Sequence, residues 1–137
     1  MGRASTIART GHAFATRSWR WGCNTLKTNS EKGRQAEDRA SRFLLSCGYR
    51  VLARNVRLPG GEIDAVCLDG PTLVIVEVKR RDSRTFGSAL GAVDARKRAT
   101  LRRIAADYAQ IVAPSAKLRF DVVALDGHRL SLHRNAF

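Results

Sequence analysis

Two carboxylates and an amine, Asp64, Glu77 and Lys79, stand out as groups able to hold a cation and activate water. They lie in the stretch from Gly60 to Lys79, which reads as two strands around a turn at Asp69, Gly70 and Pro71. With the hairpin centred between Gly70 and Pro71, Leu68 faces Leu73, Val66 faces Ile75, Asp64 faces Glu77 and Glu62 faces Lys79. Strand side chains alternate, so all eight fall on one face. Directly opposed carboxylates have Cβ atoms only ~5 Å apart and repel one another. A divalent cation held by Asp64 and Glu77, with Lys79 beside it, would relieve that repulsion. The blander account of Glu77 is an ion pair with Lys79 or an arginine at a strand end. Gly-Pro is not the favoured two-residue hairpin turn, so the register stands as an expectation.

The elements around this hairpin must position it. Glu77 interrupts Leu73-Val74-Ile75-Val76-Glu77-Val78, a strand apolar on both faces and therefore expected at the centre of a sheet. An unpaired carboxylate buried there would be costly or stay protonated. From Glu31 to Cys47 the pattern is helical, with Ser30 as N-cap and Gly48 at the C′ position. Its apolar stripe is Ala36, Ala40, Phe43, Leu44 and Cys47, and Glu37 borders it. Taken alone, Glu37 also suits an exposed acid favoured by the helix dipole. Tyr49 to Arg57 reads as a strand ending at the Leu58-Pro59-Gly60-Gly61 turn. Arg80 to Gly91 reads as a long basic loop placed to touch substrate. A second helix is predicted from Val93 to Ala113, stopping before Pro114, with a stripe of Leu101, Ile104, Ala105, Tyr108, Ile111 and Val112. Lys97 falls on that stripe and either snorkels or points into the cleft, while Arg96, Arg98, Arg102 and Arg103 spread over other faces. Leu118 to Leu125 and Arg129 to Arg134 make a last pair of strands around Asp126-Gly127. The fold class is α/β, a mixed central sheet flanked by helices in the order α-β-β-β-α-β-β.

The 137 residues suit one domain, and 44% hydrophobic content is ordinary for a globular protein. No apolar run approaches the ~20 residues of a membrane span, so no membrane partner is expected from a spanning segment. A net charge of +13 favours a polyanion, nucleic acid first and an anionic membrane surface second. Residues 1–30 carry five of the 25 basic residues and no acid, yet the other 20 still outnumber the 12 acids. We therefore divide the chain into a basic, disordered arm over 1–29, with Trp19 and Trp21, and a domain over 30–137. Cys23, Cys47 and Cys67 fit neither a disulfide framework nor a zinc site, which points to a reducing cytoplasm.

These motifs together resemble the YraN family of bacterial endonuclease-like proteins. The matching pieces are Ala36-Glu37, Arg54-Asn55, Gly61-Glu62-Ile63-Asp64, Glu77-Val78-Lys79-Arg80-Arg81, Phe86-Gly87, Lys97, Arg119-Phe120-Asp121-Val122-Val123 and Asn135-Ala136-Phe137. The resemblance covers about residues 31–137, and Ala36 departs from the glycine usual there. The family is similar to the PD-(D/E)XK nucleases, particularly archaeal Holliday-junction resolvases. The resemblance implies a restriction-endonuclease-like core and a metal-dependent phosphodiesterase using Mg²⁺ or Mn²⁺. Asp64 would be the motif aspartate, Glu77 and Lys79 the ends of the E-x-K element, and Glu37 the first-helix acid. Asp64 and Glu77, with the Val78 carbonyl as a third candidate, would hold the metal, and Lys79 would orient or deprotonate the attacking water. Glu37 would serve a second ion or its water. Arg80, Arg81, Arg84, Lys97, Arg102 and Arg103 would grip phosphates of nucleic acid, DNA before RNA. Junction resolution would need two active sites and hence a homodimer. The alternative is a non-catalytic nucleic-acid-binding protein on the same fold; a purely structural, ribosome-associated basic protein ranks below both.

Overall fold

The computed structural model describes residues 31–81 and 94–137. The expectations for the 1–29 arm, the Ser30 cap and Arg84 in the basic loop lie outside those residues. Helix α1 (Glu31–Ser46) precedes strands β1 (Arg50–Leu58), β2 (Gly61–Asp69) and β3 (Thr72–Arg81). Helix α2 (Ala95–Val112), β4 (Lys117–Asp126) and β5 (Arg129–His133) follow. The sheet order is β1-β2-β3-β4-β5, which puts the doubly apolar β3 at its centre. Only β3 and β4 run parallel, and α2 provides the long crossover that a parallel pair needs.

Local chemistry sets each boundary. The end of α1 is a Schellman cap: the Tyr49 N–H bonds the Leu44 carbonyl, the Gly48 N–H bonds the Leu45 carbonyl, and Gly48 takes φ +88°. Asp94 caps α2, its carboxylate accepting the Arg96 N–H. The β2–β3 turn is Gly70-Pro71, with Gly70 at φ +58°. That suits a type II′ turn, in which glycine takes the first central position and a negative-φ residue the second. The register runs from Asp69 opposite Thr72 to Ala65 opposite Val76, with Leu68 facing Leu73 and Val66 facing Ile75 as predicted. The final turn is Gly127-His128, one residue later than expected.

The two faces of the sheet carry separate cores. Ala65, Cys67, Val74, Val76, Val123 and Leu125 pack against α1, and Val66, Leu73 and Ile75 pack against Leu101, Ile104 and Ala105 of α2. Ile63 also lies with the α2 core, three residues from Val66, so alternation slips by one step between them. Strand β1 slips in the same place: Ala53 and Val56 share the α2 side, and Asn55 between them takes φ +51°. The paired strands therefore bulge together, with no change of register, where Asn55 and Asp64 meet; the register of the pair shifts earlier in β1, between Val51 and Ala53. This corrects the prediction of eight residues on one face with Glu62 against Lys79. Glu62 is exposed and pairs with Arg57 of β1, at 3.9 Å, because the β2–β3 ladder stops at Ala65.

The stripe of α2 also needs correction. Ile111 is 80% exposed, and Val112, in phase with Leu101 and Ala105, is 39% exposed. The last turn thus projects past the strands, and Ala109 and Ala113 make the remaining contacts. Near its start, α2 lies close on the β1–β2 turn. A Cβ on Gly61 would fall 3.1 Å from Ile104 and 3.2 Å from Thr100, so glycine permits that approach.

Candidate active site

Glu77 projects from central β3 towards the α2 side, and its residue is 2% exposed. Its Oε1 receives Lys79 Nζ at 3.0 Å and is also bonded by Lys97 Nζ from the first turn of α2. Its Oε2 is buried and has no hydrogen-bond partner among the described residues. Asp64 stands where the β2–β3 ladder ends, and its Oδ2 accepts the Val78 N–H at 2.8 Å in place of a backbone carbonyl. A strand residue's N–H and C=O point to the same neighbour, so the Val78 carbonyl is directed to the Asp64 side as well.

The electrostatics follow from this crowding. Burial, then the adjacent Glu77 carboxylate, pushes the Asp64 carboxyl from 3.8 up to about 7, against the opposing pull of the Val78 N–H and Lys97. Burial draws the Lys97 ammonium down, but the Glu77 hydrogen bond and charge, then Asp64, outweigh it and leave Lys97 above 10.5. Asp64, Glu77, Lys79 and Lys97 thus form one cluster. Glu77 is paired with Lys79, as the blander account has it, and it also adjoins a second acid.

Glu37 is not brought into that cluster. It extends from α1, its side chain 19% exposed, and Oε2 accepts Asn55 Nδ2 at 2.9 Å with Arg54 at 3.9 Å. Arg54 is held more tightly by Asp38, at 2.7 Å. Among the described residues, no three acidic, histidine or cysteine side chains stand close enough together to hold an ion. Asn55 bridges the gap: it accompanies Asp64 in the bulge and binds Glu37, and its Oδ1 is buried without a partner among the described residues. We assigned Asn55 no role from sequence. The available signal was an asparagine inside a strand, where it is a poor former but tolerates positive φ.

The predicted phosphate ligands are dispersed. Arg80 is exposed near the end of β3, and Arg81 is the strand's last residue. Arg102 is exposed on α2, with its guanidinium 5.9 Å from the Phe137 ring centre. Arg103 lies over Gly60 and 4.0 Å from Asp107. Lys97 is bound to Glu77 instead of standing free for phosphate.

Fold and site together define a mixed-sheet α/β protein with an acid–lysine cluster where the central hairpin opens. The chain belongs to the uncharacterised protein family UPF0102, whose family model matches residues 36–125, in keeping with the YraN resemblance. It is 46% identical over 112 residues to a UPF0102 protein of Dechloromonas aromatica, covering 80% of this chain and 91% of that protein. A Shewanella loihica relative is 45% identical over 106 residues, covering 77% and 93%. One from Thermodesulfovibrio yellowstonii is 38% identical over 107 residues, covering 78% and 96%. Among the described residues, no helix is long and apolar enough to cross a membrane.

Proposed function

We propose that this protein is a metal-dependent nuclease that hydrolyses phosphodiester bonds of nucleic acid, DNA before RNA, at the Asp64–Glu77–Lys79 cluster. The observation that carries the reading is the buried, unpartnered Glu77 Oε2 beside a second carboxylate. Buried polar atoms are almost always satisfied, so an orphaned carboxylate oxygen points to a missing partner. Oxygen donors are what Mg²⁺ takes, so Glu77 Oε2, Asp64 and the Val78 carbonyl fit it. When bound, Mg²⁺ or Mn²⁺ supplies the Lewis-acid charge that polarises water and the phosphoryl oxygens.

The chain's own groups do the rest. Lys79 Nζ, 23% exposed and held on Glu77 Oε1, orients the attacking water, whose proton passes to solvent. The β3 backbone fixes Asp64 through the Val78 N–H, so its carboxylate cannot turn away. Arg80, Arg81, Arg84, Arg102 and Arg103 bind phosphates and set the register of the strand without reading its bases. Glu37 lies outside the acid pair, and this favours the second reading, a nucleic-acid binder without catalysis. Action on branched junctions would require two such sites and hence a homodimer.

Incubation with Mg²⁺ or Mn²⁺ and a panel of branched, single- and double-stranded DNA and RNA tests the proposal. Cleavage that vanishes in Glu77→Ala is the expected result. Binding of the same substrates with no cleavage by the unaltered protein would leave the second reading.

A further inference from the structure

Lys97 is the least expected member of the cluster. It stands in the first turn of α2, where Ala95, Arg96, Lys97 and Arg98 follow the Asp94 cap with no acid among them. Three consecutive cations at the positive end of a helix dipole are unfavourable and call for an anionic partner. Lys97 finds one in Glu77; Arg96 and Arg98 have no ion pair among the described residues. Of the two lysines on Glu77 Oε1, Lys97 is the more open, with a side chain 44% exposed against 23% for Lys79.

With Asp64 ionised, the formal charges of the cluster cancel: two carboxylates face two ammonium groups. A divalent cation entering this neutral pocket would meet a lysine already on its ligand, and like charges at contact range in a buried site repel strongly. The excess is removed when a phosphodiester enters with the cation. Resting on the nuclease reading above, we infer that Lys97 couples the two ligands: it yields Glu77 to the divalent cation and, with Arg96 and Arg98, takes up the phosphate. Cation and nucleic acid then bind cooperatively, and the effect is reciprocal by linkage.

Calorimetric titration with Ca²⁺, with and without a hydrolysis-resistant phosphorothioate oligonucleotide, tests the coupling in the unaltered protein, Lys97→Met and Lys97→Arg. In the unaltered protein the oligonucleotide should tighten Ca²⁺ binding about tenfold or more, within the usual range of coupling between sites. Lys97→Met should bind Ca²⁺ more tightly than the unaltered protein when no oligonucleotide is present, and lose most of the oligonucleotide's effect. Lys97→Arg should keep the coupling. No coupling in the unaltered protein overturns the inference even if Lys97→Met fails to fold. Unchanged coupling or weaker Ca²⁺ binding in Lys97→Met overturns it too, and would make Lys97 a simple support for Glu77. In these cases the nuclease reading stands. Absence of Ca²⁺ binding in all three proteins, with or without oligonucleotide, removes the cation reading and the inference with it.

Discussion

Among the described residues, Glu77 and Asp121 are the two buried acids, and they sit almost side by side. In the parallel β3–β4 register Val76 pairs with Asp121 and Glu77 with Val122, so one residue separates them. They face opposite sides of the sheet. Asp121, on the α1 side, accepts the Tyr49 hydroxyl at 2.8 Å, Arg119 at 2.9 Å and the Asn135 N–H at 2.9 Å. Arg119 continues to Asp69 at 2.8 Å, and Arg134 bonds the Tyr49 hydroxyl at 3.0 Å. This network fastens the C-terminal segment to β4, β2 and the start of β1. Glu77, by contrast, keeps one oxygen unpartnered and shares its pocket with Asp64. The two buried side-chain atoms without partners among the described residues, on Asn55 and Glu77, both belong to the region around Asp64. A saturated buried acid holds architecture together; an unsaturated one retains capacity to accept a further hydrogen bond or ion.

Asp121→Ala should be the most damaging substitution on the saturated side. Removing one partner of a buried charged network should cost about 3–5 kcal/mol, because Arg119 and the Asn135 N–H are left without their acceptor. Urea denaturation measures it. A loss below about 1 kcal/mol would show that the network is not structural.

The pH dependence of stability examines the other side. Asp64 rises from 3.8 to about 7 on folding, so its proton stabilises the folded state. That contribution is complete below 3.8 and is lost as pH rises through about 7. Without divalent ions, stability from this group should fall between pH 5 and pH 8, by on the order of 3 kcal/mol. Asp64→Asn, which cannot ionise, should lack that slope. An identical slope in Asp64→Asn would place the titration elsewhere.

Glu77→Gln should do less harm than Asp121→Ala. It relieves repulsion with Asp64, and Lys79 and Lys97 can both reach solvent, so metal-free stability should change by about 1 kcal/mol or less. Mg²⁺-dependent stabilisation, which follows RT ln(1 + [L]/Kd), should vanish. Thermal melts with and without Mg²⁺ separate the two effects. A metal-free loss of ~3 kcal/mol or more would make Glu77 a structural acid like Asp121.

Much of this was legible in the sequence, and the exceptions share a cause. The β2–β3 register, the Gly48 cap and the central place of β3 follow from turn chemistry and periodicity within a few residues. Asp64 and Glu77 were legible because charge in an apolar strand is conspicuous. The double bulge was not, since it depends on Asn55 and Asp64 meeting across two strands. Glu37 bordered its stripe as expected, but its partners Arg54 and Asn55 lie on β1, which helical phase alone does not reveal. The Asp121 network joins residues as far as 85 apart in the chain, and the Arg119-Phe120-Asp121 motif carried no hint of Tyr49.

The smallest expected effect concerns Asn55, whose buried Oδ1 places it with Glu77 rather than Asp121. Its φ of +51° is a conformation that glycine adopts freely and alanine does not. Asn55→Gly gives up the hydrogen bond to Glu37 but removes the backbone strain and the unpartnered oxygen. These changes offset, so stability should stay within about 1 kcal/mol of the unaltered protein. Asn55→Ala loses the same hydrogen bond and keeps the strain, so it should lie about 1 kcal/mol below Asn55→Gly. Urea denaturation of the pair reads the strain directly, because the side-chain loss is common to both. The bulge positions Asp64, so Asn55→Gly, which loosens it, should also weaken Mg²⁺-dependent stabilisation while leaving metal-free stability nearly intact. If both variants instead lose ~3 kcal/mol, Asn55 belongs to the architecture, and the division between a saturated and an unsaturated side of the sheet fails at this residue.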